Sequence, residues 1–212
     1  MRSEIRSEFL PDSGTRCSVA VPAGDVHEGP RPLVLCLHYG GPVSPWYGRG
    51  LLESVVEPGL RALGAVIVAP DGDCPQWRNP ACEAVCREAL SYAKANFAIE
   101  DQKSLITGYS KGGIGTWDLG LCLADSFSAA IVMAGQPPPN FEVGKWALPV
   151  RVLHGEDDEL LPLEQTQSLV EHLKESGSDV ELEVLSGVSH FEVDVFAESL
   201  ESLVPWISTV WD

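Results

Sequence analysis

Ser104-Leu105-Ile106-Thr107-Gly108-Tyr109-Ser110-Lys111-Gly112-Gly113-Ile114-Gly115 is an apolar run that enters Gly-x-Ser-x-Gly and passes at once into a helical pattern. Such a stretch places its serine on a tight strand-to-helix turn with the hydroxyl exposed, the arrangement called a nucleophile elbow. The flanking glycines have a steric reason. A serine at strained backbone angles needs neighbours without Cβ, so Gly108 and Gly112 let strand and helix close around it. The backbone N–H of Lys111 then points at any oxyanion formed on a carbonyl attacked by Ser110.

Outward from this stretch the chain alternates. Strand candidates lie at Ile5–Leu10 and Cys17–Val21, divided by the Pro11-Asp12-Ser13-Gly14 turn. Pro32–Leu37 is a continuous apolar run of the kind a buried parallel strand needs, and it opens into His38-Tyr39-Gly40-Gly41-Pro42. A helical pattern through Leu51, Leu52, Val55, Val56, Leu60 and Leu63 follows, with a bend expected at Pro58. Ala65–Ala69 is the next strand, and Asn79 as cap with Pro80 behind it starts a helix. After the elbow helix, to about Ala124, come strands at Ala129–Ala134, Pro149–Leu153 and Val180–Leu185. Pro162 opens and Gly177 closes the helix between the last two, and Val195–Val210 forms a final helix bent at Pro205. The expectation is one α/β domain over residues 1–212, with a mainly parallel central sheet and helices on both faces.

Length and composition agree, since 212 residues at 44% apolar content can fill one large core. Fourteen basic and 31 acidic side chains give a formal charge of −17. That surface repels phosphate backbones and anionic headgroups, so neither nucleic acid nor a membrane is an expected partner. No stretch approaches the roughly 20 apolar residues that span a bilayer. Arg2, Glu4, Arg6 and Glu8 interrupt any apolar leader, and the expected location is cytoplasmic. Of six cysteines, Cys36 and Cys122 read as small buried hydrophobes, and Cys82 and Cys86 share a helix face. Cys74, Cys82 and Cys86 match no zinc spacing, so no metal is expected. Reduced thiols are the default there, and a disulfide from Cys74 to the next helix is the alternative.

Chemistry in such a sheet belongs at the carboxyl ends of the strands. Four loops occupy that position: 38–41, the Ser110 turn, the loop with Asp157 and Asp158, and the loop ending in His190. A serine hydroxyl needs a base to take its proton, and the base needs a carboxylate to fix its tautomer. Of five histidines, His27 precedes the core sheet, His38 belongs to the oxyanion loop and His172 lies inside a helix. His154 starts and orders the acid loop, which leaves His190 as the base. Glu156, Asp157, Asp158 and Glu159 are consecutive, and such a run ordinarily is a solvated loop.

These residues together resemble the α/β-hydrolase superfamily. The segment 108–119 is similar to the nucleophile segment of phospholipase/carboxylesterase and dienelactone-hydrolase-like enzymes. Nearest in likeness are esterases related to predicted peptidases, polyhydroxybutyrate depolymerases and feruloyl esterases. Pro149–Pro162 resembles the His-Gly-x-x-Asp-x-x-Val-Pro acid segment of that group, which implies Asp158 as the catalytic acid with Asp157 as runner-up. Gly187–Phe191 resembles its Gly-x-x-His loop, and Leu37–Gly41 its Leu-His-Gly-x-Gly oxyanion loop. Tyr39 replaces the first glycine there, leaving the Tyr39 or the Gly40 N–H as second oxyanion donor beside Lys111. Lys111 itself stands where these enzymes often carry Met, Gln or His.

The resemblance implies an α/β-hydrolase fold and a carboxylesterase that needs no cofactor. About fourteen residues between the strands at 129–134 and 149–153 leave no room for a cap domain. Trp46, Tyr47 and Trp77 are candidates for an aromatic wall of the substrate pocket. The expected partner is a small-molecule ester, and a homodimer stays open. Two rival readings share these features: a small serine peptidase or acyl-aminoacyl hydrolase, and a non-catalytic binding protein on a hydrolase scaffold.

Overall fold

A computed structural model describes residues 3–23, 29–138 and 141–212; His27 lies outside them. Eight strands form one sheet in the order β1-β2-β4-β3-β5-β6-β7-β8. They are β1 (Ser3–Phe9), β2 (Arg16–Pro22), β3 (Arg31–Leu37), β4 (Val66–Pro70), β5 (Ile99–Tyr109), β6 (Ala129–Met133), β7 (Val150–Asp157) and β8 (Val180–Ser189). Strands β3 to β8 are parallel to one another, while β1 pairs antiparallel with β2 and β2 antiparallel with β4.

The parallel strands inside the sheet carry buried residues on both faces while β8, at the edge, is largely exposed, and strand alternation separates the two cores. Leu33, Leu35 and Leu37 of β3 pack with α3 (Pro80–Asn96), α4 (Lys111–Cys122) and α5 (Leu163–Glu175). Val34 and Cys36 face the other way, toward Leu51, Val55 and Leu60, and α6 (Phe196–Ser202) and α7 (Val204–Trp211) complete that side. The crossover from β3 is helical from Gly48 to Leu63 but changes pitch. It runs through α1 (Gly48–Leu51), a π-helical segment Leu52–Val56, α2 (Glu57–Leu60) and a 3-10 turn Arg61–Leu63. Pro58 lies in the first turn of α2, directly after the π-helical segment. The bend expected at Pro205 is an interruption at Leu203, with Pro205 in the first turn of α7. Asn79 caps α3 as its sequence suggests, its side chain accepting from the Ala81 N–H at 3.0 Å.

Two expectations for the cysteines are corrected. Cys74 and Cys82 form a disulfide, with Cα atoms 6.4 Å apart, in place of the reduced default. The first turn of α3 lies within cross-linking reach of the β4–α3 loop, a proximity that sequence spacing alone does not carry. Cys122, the last residue of α4, is exposed although its neighbour Leu123 is buried, whereas Cys36 and Cys86 are buried. Among the described residues, no helix is long and apolar enough to cross a membrane. The segment 134–149 contains, among those residues, only the 3-10 turn Val143–Lys145.

Candidate active site

The carboxyl ends of β3, β5, β7 and β8 are brought level by their registers, with Leu37 opposite Gly108 and Asp157 opposite Ser189. Ser110, first residue beyond β5, has φ 54° and ψ −117°, in a region that L-residues seldom adopt. Its N–H is bound to the Met133 carbonyl at 3.0 Å and its carbonyl accepts from Ile114 at 2.9 Å, so both neighbouring elements hold the strained turn. Gly112 is required there because a Cβ would meet the backbone carbonyls of Leu37 and His38.

A chain of three side chains crosses the sheet end. Ser110 Oγ lies 2.8 Å from His190 Nε2, and His190 Nδ1 lies 2.7 Å from Asp158 Oδ2. The second Asp158 oxygen accepts from the N–H groups of Leu160 at 3.0 Å and Leu161 at 2.7 Å, which turns the first toward His190. With Asp158 accepting at Nδ1, the imidazole carries its proton there and leaves Nε2 free to accept from the serine. Asp158 and His190 are buried, while Asp157 is exposed at the end of β7. His154 is fully buried and donates Nε2–H to the Leu161 carbonyl at 2.7 Å. Burial holds it neutral, below the ordinary histidine range.

In the acidic run Glu156, Asp157 and Glu159 are exposed and Asp158 is buried, yet the run is tied to its neighbours. Glu156 accepts from Ser186 Oγ at 2.6 Å and the Gly187 N–H at 3.2 Å, and Glu159 accepts from the His190 N–H at 3.0 Å. Three of its four carboxylates therefore bind the His190 loop. On the other side Tyr109, whose hydroxyl is pushed up by burial, donates to the His190 carbonyl at 2.8 Å. Glu159 and Tyr109 hold the backbone of His190 from two directions, and sequence reading assigns neither that work. Tyr109 carries one usable signal, its place inside Gly-x-Ser-x-Gly.

At the oxyanion loop, His38 is fully buried and held neutral by burial. It donates Nδ1–H to the Tyr39 carbonyl at 2.7 Å and accepts the Gly72 N–H at Nε2 at 2.8 Å. Because a peptide unit is planar and trans, the Gly40 N–H is turned away from that ring. Gly40 lies beside Lys111, close enough that a Cβ on it would stand 3.7 Å from Lys111 Cβ. Tyr47 donates its hydroxyl to the Gly40 carbonyl at 3.0 Å, and its ring packs edge-on to Tyr39 at 5.5 Å. Trp46 packs edge-on against Phe9 at 5.3 Å, half-buried. Trp77 corrects the expectation of a substrate wall. It is 1% exposed, with its indole N–H donated to the His38 carbonyl at 3.2 Å, because Gly72 and Gly115 leave room for the ring against α4. An open cavity of about 430 Å³ adjoins the site between Tyr39 and Phe191. Among the described residues, no cluster of His, Cys, Asp or Glu could hold a metal ion.

This sheet order with a serine on the β5–α4 turn defines the chain as an α/β-hydrolase. Residues 80–209 match the model of the phospholipase/carboxylesterase family, and the chain belongs to that family. A probable feruloyl esterase C of Aspergillus terreus is 30% identical over 128 residues, covering 59% of this chain and 44% of the relative. The chain spans about half the length of the curated relatives it matches. A thermostable esterase structure superposes with a TM-score of 0.69 at 23% identity, covering 99% of this chain and 60% of that one. The S-formylglutathione hydrolase FrmB of Staphylococcus aureus superposes with a TM-score of 0.75 at 15% identity, covering 97% and 95%. At these identities the two structures share the fold.

Proposed function

We propose that this chain is a serine esterase that cleaves carboxylic esters through an acyl-enzyme, with Ser110 as nucleophile, His190 as base and Asp158 as the orienting acid. One observation carries the reading: Ser110 Oγ, His190 and Asp158 are linked in sequence by contacts of 2.8 and 2.7 Å. His190 Nε2 takes the Ser110 proton as Oγ attacks the ester carbonyl carbon. The tetrahedral oxyanion is met by the N–H groups of Lys111 and Gly40; Gly40 is favoured over Tyr39 by its place beside Lys111. The imidazolium then protonates the departing alcohol. Water repeats the sequence on the acyl-enzyme and frees the acid and Ser110. Residues from Gly40 to His190 contribute, so the stretch 1–212 acts as one catalytic unit.

The name of the Aspergillus terreus relative suggests aromatic acyl groups, so methyl ferulate belongs in the substrate panel beside p-nitrophenyl esters of graded length and aminoacyl anilides. Short esters should be hydrolysed and anilides left intact. Ser110→Ala should lower turnover by at least about 10⁴-fold. Folded protein that cleaves no ester, or a Ser110→Ala variant with undiminished turnover, would overturn the reading.

A further inference from the structure

The loop between β4 and α3 touches both halves of the proposed oxyanion site. Gly72 and Trp77 bind the Nε2 and the carbonyl of His38, at the root of the Gly40 segment. The Cys74 carbonyl accepts from Lys111 Nζ at 2.6 Å, with the Gly72 carbonyl 3.5 Å from the same ammonium. That ammonium also stands 5.8 Å from the Trp77 ring. The half-buried lysine side chain is therefore committed to backbone, which leaves it unsuited to clamp a substrate anion. Its stem lies against Gly40. Cys74, the bond acceptor, is covalently fixed by Cys82 in the first turn of α3.

We propose that the Lys111 side chain is a positioning residue, whose bond to the Cys74 carbonyl, held by the Cys74–Cys82 disulfide, sets the spacing of the Lys111 and Gly40 N–H donors. The inference rests on the assignment of those donors and of Ser110 above. Its physical basis is the sensitivity of oxyanion stabilisation to small displacements of preorganised donors. Cutting the disulfide frees the Cys74 carbonyl, loosens the lysine and lets the residue after the nucleophile shift with it. Turnover in this chain is thereby tied to the redox state of a bond that touches no substrate.

The test compares wild type, Lys111→Met, which keeps the stem and removes the donor, and Lys111→Gln, which restores a shorter one. Each is assayed with p-nitrophenyl acetate before and after reduction by a phosphine, and titrated with a trifluoromethyl ketone that Ser110 would add to. Lys111→Met should lower kcat about tenfold with KM little changed, and weaken the ketone by a similar factor, while Lys111→Gln falls between. Reduction should lower wild-type kcat likewise and leave Lys111→Met where it was. A Lys111→Met variant with wild-type kcat, an effect carried by KM alone, or a further full loss on its reduction would overturn the inference. Should Lys111→Met not fold, the paired change Cys74→Ser and Cys82→Ser takes its place, and full kcat in that variant would overturn it equally. Wild type that cleaves no ester would sink the underlying esterase reading and this inference with it. Active wild type with an indifferent Lys111→Met would sink this one alone.

Discussion

At the scale of single residues, the carboxylates separate by environment. Asp158 has both oxygens occupied by the His190 ring and by two backbone N–H groups, whereas Asp157, next along the chain, is exposed. Asp158→Asn should therefore lower turnover on the order of 10⁴-fold, by leaving the imidazole in the wrong tautomer, and Asp157→Asn should stay near wild type. Steady-state rates that reversed this order would put the acid one residue earlier. Asp118 on α4 is a different case. It is 7% exposed, and burial raises its carboxyl to about 6, with Arg78 at 3.8 Å partly offsetting the shift. The folded protein then binds the Asp118 proton more tightly than the unfolded chain, so this group's contribution to stability is present at low pH and is lost as pH rises from about 4 through 6. Asp118→Asn should be nearly neutral at pH near 3 and stabilise by about 1–3 kcal/mol at pH near 7.5. Urea denaturation at both pH values checks this, and an equal difference at the two would contradict it.

At the scale of elements, the elbow is the most legible part of the chain, because its demands are local. Gly-x-Ser-x-Gly is a statement about which residues can lack a Cβ where strand, turn and helix meet. A Cβ on Gly112 would stand 2.6 Å from the Leu37 carbonyl carbon and 2.8 Å from the His38 oxygen, both backbone atoms of β3 and its loop. Gly112→Ala should cost about 3 kcal/mol or more, read as a lower denaturant midpoint, and should lower turnover with it. A midpoint equal to wild type would show that the helix can back away. The loops after β7 and β8 were harder to read. The work of Glu156 and Glu159 depends on how β7 sits against β8, including the irregularity between Gly155 and Asp157, and no pattern within either strand carries that register. A run of four acids looks like solvated surface until its partner loop is in place. The Cys74–Cys82 bond was obscure for the same reason, since eight residues of separation do not set a Cα distance.

At the scale of the whole molecule, alternation of apolar runs and helical patterns was enough for a mainly parallel sheet covered on both faces. Continuous runs such as Leu33–Leu37 can be satisfied only there. Strand order was not legible in that pattern, because β4 lies between β2 and β3 through a crossover whose direction no single element encodes. Trp77 shows the same limit for a side chain. It lies in a loop with no periodicity to assign a face, and only the packed positions of Gly72 and Gly115 reveal the space it fills. What the fold accomplishes is convergence, since residues 110, 158 and 190 come from three separate strand ends and meet within hydrogen-bonding distance. The central claim is that this meeting makes Ser110 a nucleophile. Incubation of the folded protein with a fluorophosphonate, followed by peptide mass spectrometry, tests it most directly. The account predicts a single adduct on Ser110, lost in His190→Ala; an adduct on another residue, or none on folded protein, would contradict it.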